Sequence, residues 1–210
     1  MVLDLKRPLF VSWQLTERCN LRCKYCLSSG KESDEIDLKR ALDVITSLHR
    51  MGTKVIRFTG GEPLLRNDLP EIVRYCHKLG IQTGLASNGV LFANMVRDLR
   101  LLSAISFSLD GPKSVHDSLR GLGTHQLALQ AIQIAKEHGL YTSVSVTITK
   151  SNIESIDYLL DLARQLRVKI FFPVTDRTHC DDEIRQVIPD IEHYRGAIEM
   201  LIREKSRNKY

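Results

Sequence analysis

A chain of 210 residues that is 43% apolar and 26% charged has the make-up of one globular domain with room for a sizeable core. That balance excludes a disordered or fibrous protein, and no apolar run approaches the roughly 20 residues a membrane-crossing helix needs. The net charge of +5, with Arg203, Lys205, Arg207 and Lys209 in the tail, fits a solvated helix face better than a nucleic-acid site.

Residues 9–15 (LFVSWQL) are short, apolar and β-rich and read as a strand. An unpatterned loop follows to about Asp34; a long loop without structure in a compact domain is usually functional. Asp37 opens an amphipathic helix with Leu38, Ala41, Leu42, Ile45 and Leu48 on one face, stopping near Gly52. The second strand, 55–59, ends at Gly60-Gly61-Glu62-Pro63. Asn67 or Asp68 caps a second helix that ends at Leu79-Gly80. Strand 81–86 closes on Ser87-Asn88-Gly89, and a third helix covers about 91–101. Strand 104–109 runs into Asp110-Gly111-Pro112, then an irregular stretch reaches Gly123. Thr124 caps a helix through His138; strand 141–148 alternates strongly; Asn152 caps a helix to about Leu166. Strand 168–174 and a helix from Pro189 or Asp190 to about Arg203 complete the pattern.

Six repeats of strand and helix imply a parallel sheet with right-handed crossovers, closed either as an open doubly wound sheet or as a barrel-like arc. Either way the polar clusters fall where strands end, and in parallel α/β folds that rim is the active face.

The first of those clusters is Cys19, Cys23 and Cys26, a C-x3-C-x2-C array. Three thiolates so close together need a positive centre, and an iron–sulfur cluster is the usual one; three ligands on a four-iron cluster leave one iron open. A zinc site would need a fourth ligand, yet no His or Cys follows within ten residues of Cys26, and only the distant Cys76 could join. Disulfides fit poorly with five cysteines and no signal-peptide pattern at the N-terminus, and free thiols point to a reducing cytoplasm. The second cluster is Gly60 to Pro63. Gly60 and Gly61 let a backbone approach a ligand and expose its carbonyls, and Glu62 adds a carboxylate, a pair of features that suits an ammonium group.

The spacing of the cysteines, with Tyr25 before the last of them, and the GGEP turn resemble the radical S-adenosylmethionine (radical SAM) superfamily. The resemblance spans nearly the whole chain. It implies a partial (β/α)6 TIM-like barrel, here one core domain over residues 1–210. It implies a [4Fe–4S] cluster on Cys19, Cys23 and Cys26 whose open iron is chelated by the amino and carboxylate groups of SAM. The matching GGEP motif contacts the SAM amino group, which assigns Gly60, Gly61 and Glu62; Tyr25 lies by the adenine, and Ser108 touches SAM. Ser87-Asn88-Gly89 resembles the family's threonine-asparagine-glycine turn. Asp110 and Arg120 are read as structural before they are read as substrate-facing or anion-neutralising. Cys76 reads as a buried small hydrophobe, Cys180 lies on the active-face side, and His116, His125 and His179 carry no ligand-like spacing.

The activity implied is reductive cleavage of SAM to methionine and a 5′-deoxyadenosyl radical that abstracts hydrogen from a substrate. The motif wording is most similar to the peptide- and cofactor-maturing branch. The partners implied are a one-electron reductant such as flavodoxin or ferredoxin and a peptide or small-molecule substrate, with no membrane. A tRNA-modifying radical SAM enzyme and a non-catalytic iron–sulfur or zinc protein are the competing readings. Many peptide-maturing relatives carry a cysteine-rich C-terminal extension of the SPASM type. Its absence here leaves a minimal core or a piece of a longer chain.

Overall fold

The computed structural model of the chain describes residues 7–26, 35–173 and 182–207. Six strands lie parallel in one sheet: β1 (Phe10–Thr16), β2 (Val55–Gly60), β3 (Gln82–Ser87), β4 (Ala104–Ser108), β5 (Tyr141–Ser145) and β6 (Lys169–Phe171). Their order in space is their order in the sequence, so each crossover moves one place in the same direction. A doubly wound sheet needs a reversal of strand order, which excludes that closure. Sequential parallel strands curl into a barrel wall, and with β1 and β6 left as edges the result is an open (β/α)6 arc.

The helices are α1 (Leu38–Arg50), α2 (Leu69–Lys78), α3 (Phe92–Met95), α4 (Lys113–Arg120), α5 (Thr124–Glu137), α6 (Ile156–Leu166), α7 (Asp182–Val187) and α8 (Ile191–Arg207). Asp37 caps α1 as its sequence implies: its side chain accepts from the backbone N–H of Arg40 at 2.7 Å. Alternate strand residues such as Ile56, Phe58, Leu85, Ile105 and Phe107 are buried against Ala41, Ile45, Ile72, Phe92 and Ile132 of the helices. Phe92 meets Phe107 edge-on at 5.0 Å between ring centroids, a favoured aromatic arrangement. The other strand residues face the hollow of the arc. There Gly84, Ala86, Ala104, Ser106, Ser143 and Ser145 are small, so the inner wall is a trough rather than a filled core.

Several elements differ from their expected form: β6 is the short Lys169–Phe171, α7 is unexpected, and three others change in kind or length. Residues 113–120, expected to be irregular, form α4; the Gly111-Pro112 turn signal hides a helix start, since proline is well suited to a helix N-terminus. α3 shrinks to one turn because the chain from Met95 to Leu102 makes i→i+3 bonds instead of α-helical ones. β5 leaves the ladder after Ser145, because the N–H of Thr147 turns to the carboxylate of Asp110 at 3.0 Å.

Candidate active site

The end of β2 and the start of the cysteine loop are built around a close backbone approach. A Cβ on Gly60 would stand 2.1 Å from the carbonyl oxygen of Thr16, and one on Gly61 would stand 2.2 Å from that of Arg18. Gly60 also has φ of +143°, a region that L side chains rarely adopt. The room so made is used at once: the N–H of Gly61 donates to Thr16 O and that of Glu62 donates to Arg18 O, each at 2.8 Å. The two glycines therefore admit the protein's own backbone. Beyond them, Arg18 pairs with Glu35 through Nε at 2.7 Å and through its terminal nitrogen at 3.0 Å, and Thr16 donates its hydroxyl to the same carboxylate.

Glu62 points inward. It is fully buried, and its two oxygens accept from the N–H of Leu64 (3.0 Å), the hydroxyl of Ser87 (3.0 Å) and the N–H of Asn88 (2.7 Å). The sequence suggests a carboxylate offered at the rim; the structure uses it to bind the turn after β2 to the turn after β3. Burial pushes its pKa up to about 7, against the pull of those donors. Asn88 in turn donates from its side-chain amide to Asn20 Oδ1 at 2.8 Å, inside the cysteine loop.

A second anchor holds the far side of the loop. Asp110, fully buried after β4, accepts from the Tyr25 hydroxyl and from Arg120 Nε, each at 2.5 Å. Arg120 lies over the Tyr25 ring, 5.3 Å from its centroid, and one of its nitrogens stands 3.9 Å from Cys23 Sγ. Burial works to lower the pKa of Arg120, but Asp110 outweighs it and holds the guanidinium charged. The N–H of Lys24 donates to Leu119 O at 3.0 Å, so the loop is seated on α4. Tyr25 thus has its hydroxyl and one ring face committed to this pair.

Cys19, Cys23 and Cys26 are free and half-buried on the loop. Burial raises the pKa of Cys19 and pushes that of Cys23 up to about 11, with Arg120 acting the other way on Cys23. Thiols in this state keep their protons until a metal centre displaces them. Among the described residues, no group of three His, Cys, Asp or Glu side chains converges on a single ion. A zinc ion takes four ligands, and the loop offers three thiols, the number that leaves one iron of a four-iron cluster open. The donor set fits a [4Fe–4S] cluster.

Ser108, the last residue of β4, faces the trough opposite Ser145. Cys76 sits in α2 with no exposure and a thiol pKa pushed up to about 12 by burial, as a core residue would. Cys180 and His179 lie outside the described residues. His116 and His125 are buried side by side, ring centroids 5.6 Å apart. Sequence reasoning missed Arg66, which is 4% exposed: it pairs with Asp68 and donates to the carbonyls of Leu15 and Ile36 on either side of the loop. It missed Glu35 and Asn20 as well, since a polar residue in a loop carries no signal of its distant partner.

A sequence profile described as the Radical SAM superfamily matches residues 13–166. The chain is 33% identical over 170 residues to an Fe-coproporphyrin III synthase of Methanosarcina barkeri, covering 78% of this chain and 42% of that protein. It is 33% identical over 168 residues to the mycofactocin maturase MftC of Mycolicibacterium smegmatis, covering 76% and 42%. The fold superposes on Streptococcus suis SuiB bound to its precursor peptide SuiA with a TM-score of 0.83 at 18% identity, over 97% of this chain and 47% of that one. The chain spans less than half the length of these relatives. Members of this superfamily use a [4Fe–4S] cluster and SAM. Three free cysteines on a loop that the GGE turn clamps, on a barrel arc of this shape, agree with the profile: the chain belongs to the radical SAM superfamily.

Proposed function

We propose that this chain is the core of a radical SAM enzyme of peptide or cofactor maturation, with a [4Fe–4S] cluster on Cys19, Cys23 and Cys26. The observation that carries the reading is the loop itself: three unpaired thiols on a segment pinned at both ends, at the rim where the strands of a parallel barrel end. When bound, the cluster and SAM supply one-electron cleavage of a carbon–sulfur bond, and the protein supplies position and charge. Arg120 beside Cys23 offsets the negative charge that thiolates bring. The Asp110 carboxylate keeps that guanidinium in place, and Asn88 fixes the loop through Asn20. Gly60, Gly61 and Glu62 are assigned to the SAM amino group, through the backbone carbonyls of the glycines and the acceptor capacity that three donors leave on the Glu62 carboxylate. Tyr25 and Ser108 are assigned to SAM as the adenine neighbour and a hydroxyl contact.

The maturase reading is supported by what the relatives are named for, synthesis of Fe-coproporphyrin III and maturation of mycofactocin, and by the precursor peptide bound to SuiB. A flavodoxin or ferredoxin would deliver the electron. No described helix is long and apolar enough to cross a membrane; a reducing cytoplasm is the compartment proposed, since it keeps these thiols free. The test is anaerobic reconstitution followed by reduction in the presence of SAM. About four irons per chain, with methionine and 5′-deoxyadenosine as products, are expected. Zinc in place of iron, or iron without SAM cleavage, overturns the reading.

A further inference from the structure

Within the trough lies a cavity of about 510 Å³. Among the described residues, Arg57, in the middle of β2, is the one charged side chain that lines it. Arg57 is half-buried and has no hydrogen-bond or ion-pair partner among the described residues. A half-buried guanidinium without an acceptor is unusual, because its donors lose water and gain nothing in return. Its neighbour across the sheet is Gly84, and a Cβ there would stand 3.6 Å from the Arg57 Cγ. The missing side chain leaves open the space beside the arginine stem, in the cavity that the serines of β4 and β5 also line. There the hydroxyl of Ser106 is buried and also lacks a partner. Phe10, Tyr141 and Phe171, each more than half exposed, line the same cavity.

We propose that Arg57 is the substrate-recognition residue of this barrel and that it binds a carboxylate carried on an apolar or aromatic body. The proposal rests on the function proposed above. A guanidinium meets a carboxylate with two parallel N–H bonds and equal, opposite charge. A phosphate, at nearly two negative charges, would be left half-neutralised in a cavity with no second cation among the described residues of its wall. The aromatic side chains supply the contact for the body of the ligand, and Ser106 supplies a further hydroxyl. Arg57 lies three residues before Gly60, roughly 10 Å along the strand at about 3.3 Å per residue. Phe10, paired with Val55, lies on the far side of Arg57 and Tyr141 is level with it, while Phe171, level with Ser108, lies toward the rim, so a substrate held at Arg57 by its acid group reaches the cysteine rim past Phe171.

The experiment uses 3-phenylpropionate and its neutral amide as probes, titrated into the reconstituted protein by calorimetry. The acid is expected to bind more tightly than the amide. Arg57→Gln is expected to weaken the acid by about tenfold or more, the worth of a charge-assisted pair, without weakening the amide. Arg57→Lys should restore part of the difference, and circular dichroism shows whether each variant is folded. Equal binding of acid and amide, no binding of the acid at millimolar concentration, or an Arg57→Gln variant that binds as the parent does would each overturn the proposal. So would loss of acid binding when SAM saturates the protein, which would give Arg57 to the SAM carboxylate. These titrations need no reductant and no turnover. The absence of SAM cleavage by the parent protein would sink the function proposed above and leave this result standing on its own.

Discussion

The carbonyl oxygen of Thr16 occupies the place where Gly60 would carry a methyl group, 2.1 Å from an ideal Cβ. Neither partner can withdraw, because the N–H of the next residue, Gly61, donates to that same oxygen. Gly60→Ala should therefore destabilise the chain by about 2–4 kcal/mol, summing a strained φ and an overpacked contact. Gly84→Ala, whose new methyl would come no nearer than 3.6 Å to its first neighbour, the Arg57 Cγ, should stay within about 1 kcal/mol. Urea denaturation of both variants makes the comparison, and equal losses would remove the clamp from the account.

Glu62→Gln should cost about 1–3 kcal/mol, although it is isosteric. The carboxylate accepts from two backbone N–H groups and a hydroxyl, and an amide would turn its own NH2 toward one of those donors. A variant as stable as the parent would show that the acid is not needed as an acceptor there.

Removing one partner of the Asp110–Arg120 pair should be severe. Their side chains are 0% and 9% exposed, so Arg120→Met leaves a buried carboxylate uncompensated, at about 3–5 kcal/mol. Tyr25→Phe removes one hydrogen bond to the same carboxylate and should cost about 1 kcal/mol. Chemical denaturation that ranks the two the other way would contradict the role given to the pair.

Acid should weaken the fold through His116. Burial pushes its pKa down to about 4, with Arg120 and His125 acting the same way and Asp110 and Asp117 opposing. An unfolded histidine titrates near 6.5. Between those values the unfolded chain holds more protons, so stability rises with pH. The contribution of His116 is complete above about 6.5 and is lost as pH falls through about 4. His116→Asn keeps an acceptor for the N–H of Asp110, which His116 Nδ1 now receives at 3.1 Å, and should flatten the pH dependence of the melting temperature between those values. Parallel curves for the two proteins would assign the acid limit to another group.

Iron should follow the loop cysteines and ignore Cys76. Replacing Cys19, Cys23 or Cys26 by alanine should each abolish the uptake of about four irons per chain. Cys76→Ala, in the core of α2, should leave the iron and cost some stability instead. Retention of iron without Cys23 would break the three-ligand assignment.

The strands, the main helices and the cysteine loop were legible because apolar periodicity and cysteine spacing are local signals. The placement of β1 to β4 within a residue of expectation follows from that. What escaped were pairings between distant positions. Nothing near Asp110 announces Arg120, Tyr25 and Thr147 as its partners, and that convergence is what ends β5 early. The GGE turn was recognised, but a motif gives residue types and not directions. Its glycines turned out to face the backbone at the end of β1 and the start of the cysteine loop, and its carboxylate the turn after β3. Arg57 escaped because a single arginine in a strand reads as a solvated residue until the missing side chain of Gly84 is seen beside it.

Sequential strand order has a consequence for how the protein is made. Each new strand adds beside the one just synthesised, so the sheet can grow vectorially from the ribosome without waiting for remote sequence. The cysteine loop is the exception. It emerges after β1, yet Asn20 waits for Asn88, and Lys24 and Tyr25 wait for Leu119 and Asp110. Four strands and α4 must be in place before the three thiols are held. Cluster assembly is thereby tied to a nascent chain that has already delivered Leu119 and Arg120, and a ribosome-bound fragment ending before α4 would present the cysteines on an untethered loop.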